Sequence, residues 1–409
     1  MYFEDFGFHP DLMEGISSMG YVKATPIQEQ VFGPVTEGKD IIAAAQTGTG
    51  KTAAFLLPLL QKLMTTPHDN HSVNAMIIVP TRELAIQISQ ILEGITYFTD
   101  ISFIAIYGGN NGTLFANERK ALSQGADIIV CTPGRMIAHL NMGYVKFSGL
   151  KYLVLDEADR MLDMGFLEDI MRIVATLPAQ RQNLLFSATM PPLIRKLAHT
   201  LLKNPIEVNI AVSKPPETIK QQKYLVHDAQ KPGLIQHILK NNASGYILIF
   251  CSSKQSVKNL YALLARHKYK VGQIQSDLEQ SAREQILLDY KNKKINILIA
   301  TDILSRGIDI EDIELVINYD VPNEGEDYIH RIGRTARAAS TGTAITLVCD
   351  KEQWKFQKIE KLLGREVECG LVPEELGPAP QPRINNNEGA NKKKKFKPKR
   401  KPNKPSPGA

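Results

Sequence analysis

The chain has 409 residues, 43% of them hydrophobic and 22% charged. That is enough apolar material for ordinary buried cores and, at roughly 150 residues per domain, for two domains, which excludes a wholly disordered or fibrous protein. The formal net charge of +6 is unevenly spread: residues 391–409 hold eight lysines, one arginine and no acid, so a mildly acidic body carries a basic tail suited to a polyanion.

The N-terminus, Met1-Tyr2-Phe3-Glu4-Asp5, lacks the basic and apolar regions of a signal peptide. No run approaches the ~18 to 20 apolar residues of a membrane span, so a cytoplasmic protein without membrane contact is expected. Short apolar runs follow at 41–44, 75–79, 128–130, 152–155 and 184–186, with longer amphipathic stretches between them, including 81–95 and 190–202. Runs of about 4 to 6 residues without alternation fit strands buried on both faces of a parallel sheet, and their alternation with helices implies an α/β fold. The pattern pauses at 211–217, where Pro215-Pro216 disfavours both helix and interior strand. It resumes with apolar runs at 246–250, 295–300, 314–319 and 343–348. The expected division is an opening segment 1–30, a first domain 31–210, a linker 211–217, a second domain 218–365 and a tail 366–409. The tail is rich in Pro, Asn, Gly and Lys and is read as disordered, because it has too little apolar surface to offset ordering entropy. Cys131, Cys251, Cys349 and Cys369 lie far apart, which argues against a disulfide framework or a zinc site and fits a reducing compartment.

Chemistry concentrates at two strand ends. Gln46-Thr47-Gly48-Thr49-Gly50-Lys51-Thr52 follows an apolar strand and precedes a helix over 53–64, with Ala45 where the strict phosphate-loop pattern has glycine. Glycines let backbone N–H groups approach phosphates, Lys51 neutralises the β and γ oxygens, and the Thr52 hydroxyl ligates Mg²⁺. A glycine-rich turn that binds nothing is the plain alternative, and the strand-loop-helix context weighs against it. The strand at 152–155 runs into Asp156-Glu157-Ala158-Asp159, placing carboxylates where open α/β sheets bind ligands. Asp156 is suited to Mg²⁺, and Glu157 to orienting or deprotonating an attacking water. The alternative is an acidic helix start that complements the macrodipole.

Asp156-Glu157-Ala158-Asp159 spells D-E-A-D, and the chain over residues 3–340 resembles the DEAD-box RNA helicase family. The further segments that carry the resemblance, in order, are Phe3 with Thr25-Pro26-Ile27-Gln28; Pro80-Thr81-Arg82-Glu83-Leu84-Ala85; Gly108-Gly109; Thr132-Pro133-Gly134-Arg135; and Ser187-Ala188-Thr189. In the second half they are Ile249-Phe250-Cys251, Gln280-Ser281-Ala282-Arg283, Ala300-Thr301-Asp302, Arg306-Gly307-Ile308-Asp309 and His330-Arg331-Ile332-Gly333-Arg334-Thr335-Ala336-Arg337. Ala24, Gln275-Ser276 and Ala336 depart from the commoner pattern without removing a phosphate-contacting side chain.

The resemblance implies two tandem RecA-like domains, each a mainly parallel sheet flanked by helices, followed by the disordered basic tail. ATP would bind at Phe3, Gln28, Thr47, Gly48, Thr49, Gly50, Lys51 and Thr52, with Gly307 and Asp309 from the second domain. Lys51, Asp156, Glu157, Arg334 and Arg337 would be catalytic, and Thr52 and Asp156 would hold Mg²⁺. Asp159, Ser187, Thr189 and His330 would couple the sites. RNA would run over Thr81, Arg82, Gly109, Thr132, Gly134, Arg135, Arg283 and Thr301. These residues suit phosphate and sugar more than base edges. The paired donor and acceptor of the Gln28 amide could meet adenine N6 and N7, and Phe3 could stack on the ring. The spacing of Arg331, Arg334 and Arg337 predicts one face of a helical turn. The implied activity is RNA-dependent ATP hydrolysis by a monomer that separates short duplexes or remodels RNA–protein complexes. An ATP-gated RNA clamp is the alternative. A DNA-translocating helicase is disfavoured by Gln28 and the D-E-A-D spelling. The opening segment and the lysine-rich tail are most similar to the bacterial RhlE-type subgroup.

Overall fold

Buried apolar runs need a sheet whose two faces are both covered, and the chain builds two of them. The structure, a computed structural model, describes residues 1–45, 48–69, 71–108, 112–210, 218–242, 245–301, 313–335 and 342–382. The first half contributes strands β1 (Ile41–Ala44), β2 (Ala75–Ile78), β3 (Phe103–Ile106), β4 (Ile128–Cys131), β5 (Tyr152–Leu155), β6 (Gln182–Ser187) and β7 (Ile206–Asn209). They lie side by side in the order β3-β4-β2-β5-β6-β1-β7. The second half contributes β8 (Ile219–Leu225), β9 (Tyr246–Cys251), β10 (Val271–Ile274), β11 (Ile297–Thr301), β12 (Ile313–Asn318), β13 (Gly342–Val348) and β14 (Glu368–Cys369), in the order β10-β11-β9-β12-β13-β8-β14. Every strand pairing among the described residues is parallel. These are the two RecA-like α/β domains expected.

Alternate residues of the first sheet face opposite cores. Ala43, Ile77, Val130, Val154 and Phe186 pack with the helices Pro26–Thr36, Lys51–Thr65 and Arg82–Ile95. Ile42, Met76, Ile129, Leu155 and Leu185 pack with Pro133–Asn141, Leu167–Val174 and Pro192–Leu201. Phe55 meets Phe186 at a ring separation of 5.2 Å, and each such fully buried side chain contributes about 1.5–3 kcal/mol. Parallel strands place all their C-terminal ends on one edge of the sheet, and the loops leaving β1, β2, β4, β5 and β6 gather there.

The apolar runs read from the sequence form strands within two residues of the expected limits. β3, β7, β8, β10 and β14 were not foreseen. They lie at or next to sheet edges, where one flank or face meets solvent and the continuous apolar run is lost. Residues 366–382, expected within a disordered tail, are instead folded onto the second sheet. β14 pairs with β8, Val367 is buried, and Val372 and Leu376 pack against the core. The Gln230 side-chain amide donates to the carbonyls of Leu376, Gly377 and Pro378 at 2.8, 3.2 and 3.0 Å. A few apolar anchors and one amide hold this segment, and its averaged composition hides them. The rest of the expected tail and the linker 211–217 lie outside the described residues. Among the described residues no helix is long and apolar enough to cross a membrane, and none of the four cysteines forms a disulfide.

Candidate functional site

β1 must turn sharply into the helix Lys51–Thr65. Gly48 (φ 83°) and Gly50 (φ 89°) make that turn in the left-handed region, where a Cβ is strained. Lys51, the first helical residue, is 6% exposed, and its ammonium has no hydrogen-bond partner among the described residues. The charge faces the Asp156 and Asp159 carboxylates, but its N–H donors are left unmade, which suits a position that receives an anion's oxygens. Thr52 follows it, and Thr49 is half-buried in the turn.

β5 delivers the acidic cluster to the same place. Asp156 is buried and accepts the Glu157 N–H at 2.9 Å. Burial pushes its carboxyl up to about 6 against the pull of Lys51, and the neighbouring Glu157 adds to the rise. Glu157 is a non-glycine residue in the left-handed region (φ 50°, ψ 50°), a strained conformation that aims its side chain. Its carboxylate accepts from Arg160 Nη1 at 3.2 Å. Asp159 accepts from the Thr189 N–H at 2.9 Å and hydroxyl at 2.8 Å, while its own N–H donates to Ser187 Oγ at 3.2 Å. Burial pushes Asp159 up, but Lys51 and these hydrogen bonds outweigh it and hold the carboxyl below its usual range. The expected coupling residues of the first domain therefore form one bonded unit beside the phosphate loop.

Gln28 caps its own helix: Oε1 accepts the Thr25 N–H at 2.8 Å, and Nε2 donates to the Gly50 carbonyl at 3.1 Å. One lone pair and one N–H of the amide remain for a ligand. Phe3 is 3% exposed and stacks on Tyr21 with ring centroids 6.0 Å apart, so it is a core residue whose edge also reaches the cleft. The cleft, about 360 Å³, is walled by Phe3, Gln28, Lys51, Asp156 and Glu157 from the first domain and Arg334 from the second.

Arg331 and Arg334 do not share a helical face, contrary to expectation. The helix Gly325–Ile332 ends at Gly333, so Arg334 leaves it toward the cleft. Arg331 turns inward, donating to Asn318 Oδ1 at 3.1 Å and the Asp320 carbonyl at 2.9 Å, over the Phe250 ring at 5.1 Å. His330 is buried on the same helix. Thr47, Gly307, Asp309 and Arg337 lie outside the described residues.

A second cleft, about 650 Å³, brings together Thr81, Arg82, Thr132, Gly134, Arg135 and, from the second domain, Arg283. Thr81 caps the helix Arg82–Ile95 by accepting the Leu84 N–H at 3.3 Å. Arg135 is held by Glu118 through Nε at 2.7 Å and Nη2 at 2.6 Å, and stacks over Phe115 at 4.7 Å. Glu118 also bonds His139 Nε2 at 2.9 Å. Arg283 Nη1 lies 3.7 Å from Glu83, across the two domains. Thr301, half-buried at the end of β11, is not on the cleft wall, and Gly109 lies outside the described residues.

The sequence reading missed Tyr21, Lys23 and Gln87 on the first cleft and Glu118 behind the second. Tyr21 and Lys23 immediately precede Thr25, so the segment that holds Gln28 was itself the signal. Gln87 follows Glu83 by one helical turn. Glu118 carried no local signal, because its partner is 17 residues away.

A phosphate loop facing an arginine from a second RecA-like domain, with a hydroxyl- and guanidinium-lined cleft across the same pair, defines a two-domain, nucleotide-driven helicase. The chain matches the DEAD/DEAH box helicase family over residues 25–197 and the helicase conserved C-terminal domain over 230–339. It is 38% identical over 372 residues to the ATP-dependent RNA helicase CshA of Listeria monocytogenes, covering 91% of this chain and 70% of the relative. S. cerevisiae Dbp5 bound to RNA and ADP BeF3 superposes with a TM-score of 0.80 at 30% identity, over 91% of this chain and 95% of that one. A variant of the same yeast protein bound to Nup159, Gle1, IP6 and ADP reaches 0.63 at 30% identity, over 90% and 96%. The chain belongs to the DEAD-box family of ATP-dependent RNA helicases, and its domains are arranged more like the RNA-bound form than the other.

Proposed function

We propose that ATP with Mg²⁺ occupies the smaller cleft, that single-stranded RNA lies in the larger one, and that both ligands together draw the domains shut. Closure on one strand separates a short duplex or remodels an RNA–protein complex, and product release reopens the cleft. The observation that carries this reading is that Arg334 of the second domain lines the same cleft as Lys51 and Glu157 of the first.

In the closed cleft Lys51 neutralises the β and γ oxygens, and Gln28 uses its remaining amide valences on the adenine. Glu157 orients a water and takes its proton as the water oxygen bonds the γ phosphorus. The bond from that phosphorus to the ADP oxygen breaks. Arg334 stabilises the transferring group, with Arg337 as its expected companion. The buried Asp156 carboxyl and the Thr52 hydroxyl, oxygen donors at the head of the phosphate helix, suit a hard cation. When bound there, Mg²⁺ would neutralise charge on the phosphate oxygens.

Thr81, Arg82, Thr132, Gly134, Arg135 and Arg283 contact RNA phosphate and sugar, so little sequence preference is expected. Asp159, Ser187 and Thr189 link the acidic cluster to the loop after β6, and His330 completes the coupling from the second domain. The finer reading is of an RhlE-type subgroup member, a cytoplasmic monomer with a linker at 211–217. The lysines after Asn391 act as a non-specific RNA anchor.

Steady-state ATP hydrolysis with and without single-stranded RNA tests the reading, with Glu157→Gln as background. RNA should stimulate turnover strongly, and the variant should abolish it. Turnover independent of RNA would overturn the gating. ATP-dependent RNA retention without turnover would make the protein a clamp.

A further inference from the structure

Glu118 and His139 stand behind the larger cleft rather than on its wall, and both are buried, at 3% and 0% exposed. Phe115 and Glu118 lie one turn apart on the helix Gly112–Gln124, and Arg135 and His139 one turn apart on the helix Pro133–Asn141. The two pairs interlock. The Arg135 guanidinium lies over the Phe115 ring at 4.7 Å, and the His139 imidazole stacks on the same ring at 4.6 Å with 12° between the planes. Glu118 Oε2 accepts from Arg135 Nε at 2.7 Å, stands 2.6 Å from its Nη2, and meets His139 Nε2 at 2.9 Å. A carboxylate oxygen accepts, so Nε2 is the donor, and Nδ1 is left to accept from the Tyr144 hydroxyl that it bonds.

Charge alone does not explain this arrangement. A carboxylate behind a cleft for phosphates repels them, and it offsets the charge of the one arginine it touches. What the contacts supply is orientation. An arginine side chain loses rotamer freedom when it grips a phosphate, and that loss weakens binding. Here the ring and the carboxylate have already fixed the Arg135 side chain, which is 14% exposed. Glu118 takes the Nε–Nη2 edge of the guanidinium fork, and the Nη1 end is left for a ligand. His139, itself pinned by Tyr144, fixes the same carboxylate oxygen, so the acid is as firmly placed as the arginine.

We propose that Glu118, fixed by His139, is a positioning residue for RNA. It holds Arg135 pre-oriented for a backbone phosphate in the larger cleft, and so adds to RNA affinity despite its negative charge. This rests on the reading that Arg135 contacts RNA.

The test is RNA-stimulated ATP hydrolysis by the full-length protein, with RNA anisotropy, on a uridine-rich single strand. If only charge mattered, removing a carboxylate near bound phosphates would tighten binding. Glu118→Ala should instead raise the RNA concentration for half-maximal turnover about tenfold, the loss of roughly one charge-assisted contact, with kcat at saturating RNA and KM for ATP unchanged. Two conservative variants separate geometry from charge. Glu118→Asp keeps the charge but retracts the oxygen by one methylene, and should weaken RNA binding. Glu118→Gln loses the charge, but all three contacts converge on Oε2, so an amide oxygen in that place keeps them and RNA affinity should be largely retained. Arg135→Ala should weaken RNA binding and lower the slope of log affinity against log salt by about one. In that background Glu118→Ala should weaken it no further. Binding that is retained in Glu118→Asp and Glu118→Ala while Arg135→Ala binds weakly would overturn this proposal alone. The same weakening from Glu118→Ala with and without Arg135 would also overturn it, because the carboxylate would then act only by joining the two helices. Arg135→Ala without effect would overturn the RNA reading of that arginine, and this proposal with it.

Discussion

Gly48 and Gly50 separate two costs that are usually confounded. Both adopt left-handed φ, 83° and 89°, yet a Cβ on Gly48 would meet nothing within 4 Å. A Cβ on Gly50 would lie 2.5 Å from Gln28 Nε2 and 3.1 Å from Thr25 Oγ1. Gly48→Ala should therefore cost only the conformational strain, about 1–2 kcal/mol. Gly50→Ala adds displacement of the Gln28 amide, which breaks its bond to the Gly50 carbonyl and loosens the cap on Thr25. That second cost is about 1 kcal/mol or more in stability. It should also appear as a loss of ATP affinity that Gly48→Ala does not reproduce in full. Thermal unfolding and nucleotide titration of the two variants check this. Equal losses would mean that Gln28 does not report on the phosphate loop. Lys51 makes the complementary point, since its buried ammonium is uncompensated by hydrogen bonds until a ligand arrives. The site is thus pre-formed at a cost to the free protein.

At the scale of elements, the second domain is tied together by a buried charge. Lys231, 3% exposed at the head of the helix Lys231–Asn241, reaches Asp320 after β12 at 3.0 Å and Glu352 at 3.4 Å. Asp320 also accepts the Ser252 N–H at 2.8 Å and hydroxyl at 2.9 Å after β9. Burial works against both charges, but their mutual attraction wins: Lys231 is raised above its usual range and Asp320 is held below its own. Asp320 thus contributes stability that is present above its unfolded pKa and lost as pH falls through the lower folded one. Lys231 contributes stability that is lost only as pH rises through its raised pKa. Lys231→Met should cost about 3–5 kcal/mol by stranding the buried acids, and should remove part of the acid-side decline in Tm. Adding Asp320→Asn should recover some of the loss. A Tm unchanged by Lys231→Met would leave the network without a structural role. None of this network was legible in the sequence, because its members are up to 121 residues apart and each alone resembles surface charge. What was legible was local. The apolar runs gave the inner strands, the amphipathic stretch 81–95 gave a helix, and the loops after β1 and β5 gave the candidate phosphate and acidic residues. Arg331 was misread because a three-residue spacing assumes a helix that in fact stops at Ile332. β14 and the 366–382 segment were lost in a composition dominated by lysines further on.

At the scale of the whole molecule, an ion pair among the described residues bridges the two domains. The Arg283–Glu83 pair spans them at 3.7 Å, and an ion pair near the surface contributes about 0–1 kcal/mol. Moving a two-state equilibrium from mostly open to mostly closed takes about 5.5 kcal/mol, more than that pair supplies, so ligand binding is expected to contribute. Arg334 is the residue through which ATP can do so, because it is the second domain's described side chain on the nucleotide cleft wall. Arg334→Ala leaves Lys51, Thr52 and Gln28 in place, so ATP affinity of the open protein should change little. RNA-saturated turnover should fall by about 10³, the lower end of what an arginine finger supplies. Arg334→Lys should not restore it, since a point charge lacks the planar fork that grips phosphate oxygens. The loss should extend to RNA, whose affinity in the presence of a non-hydrolysable ATP analogue should drop toward its nucleotide-free value. If kcat fell while that analogue still tightened RNA binding as in the unaltered protein, Arg334 would serve the chemical step alone. Closure would then have to be driven from the RNA cleft, through contacts such as Arg283 rather than through the nucleotide.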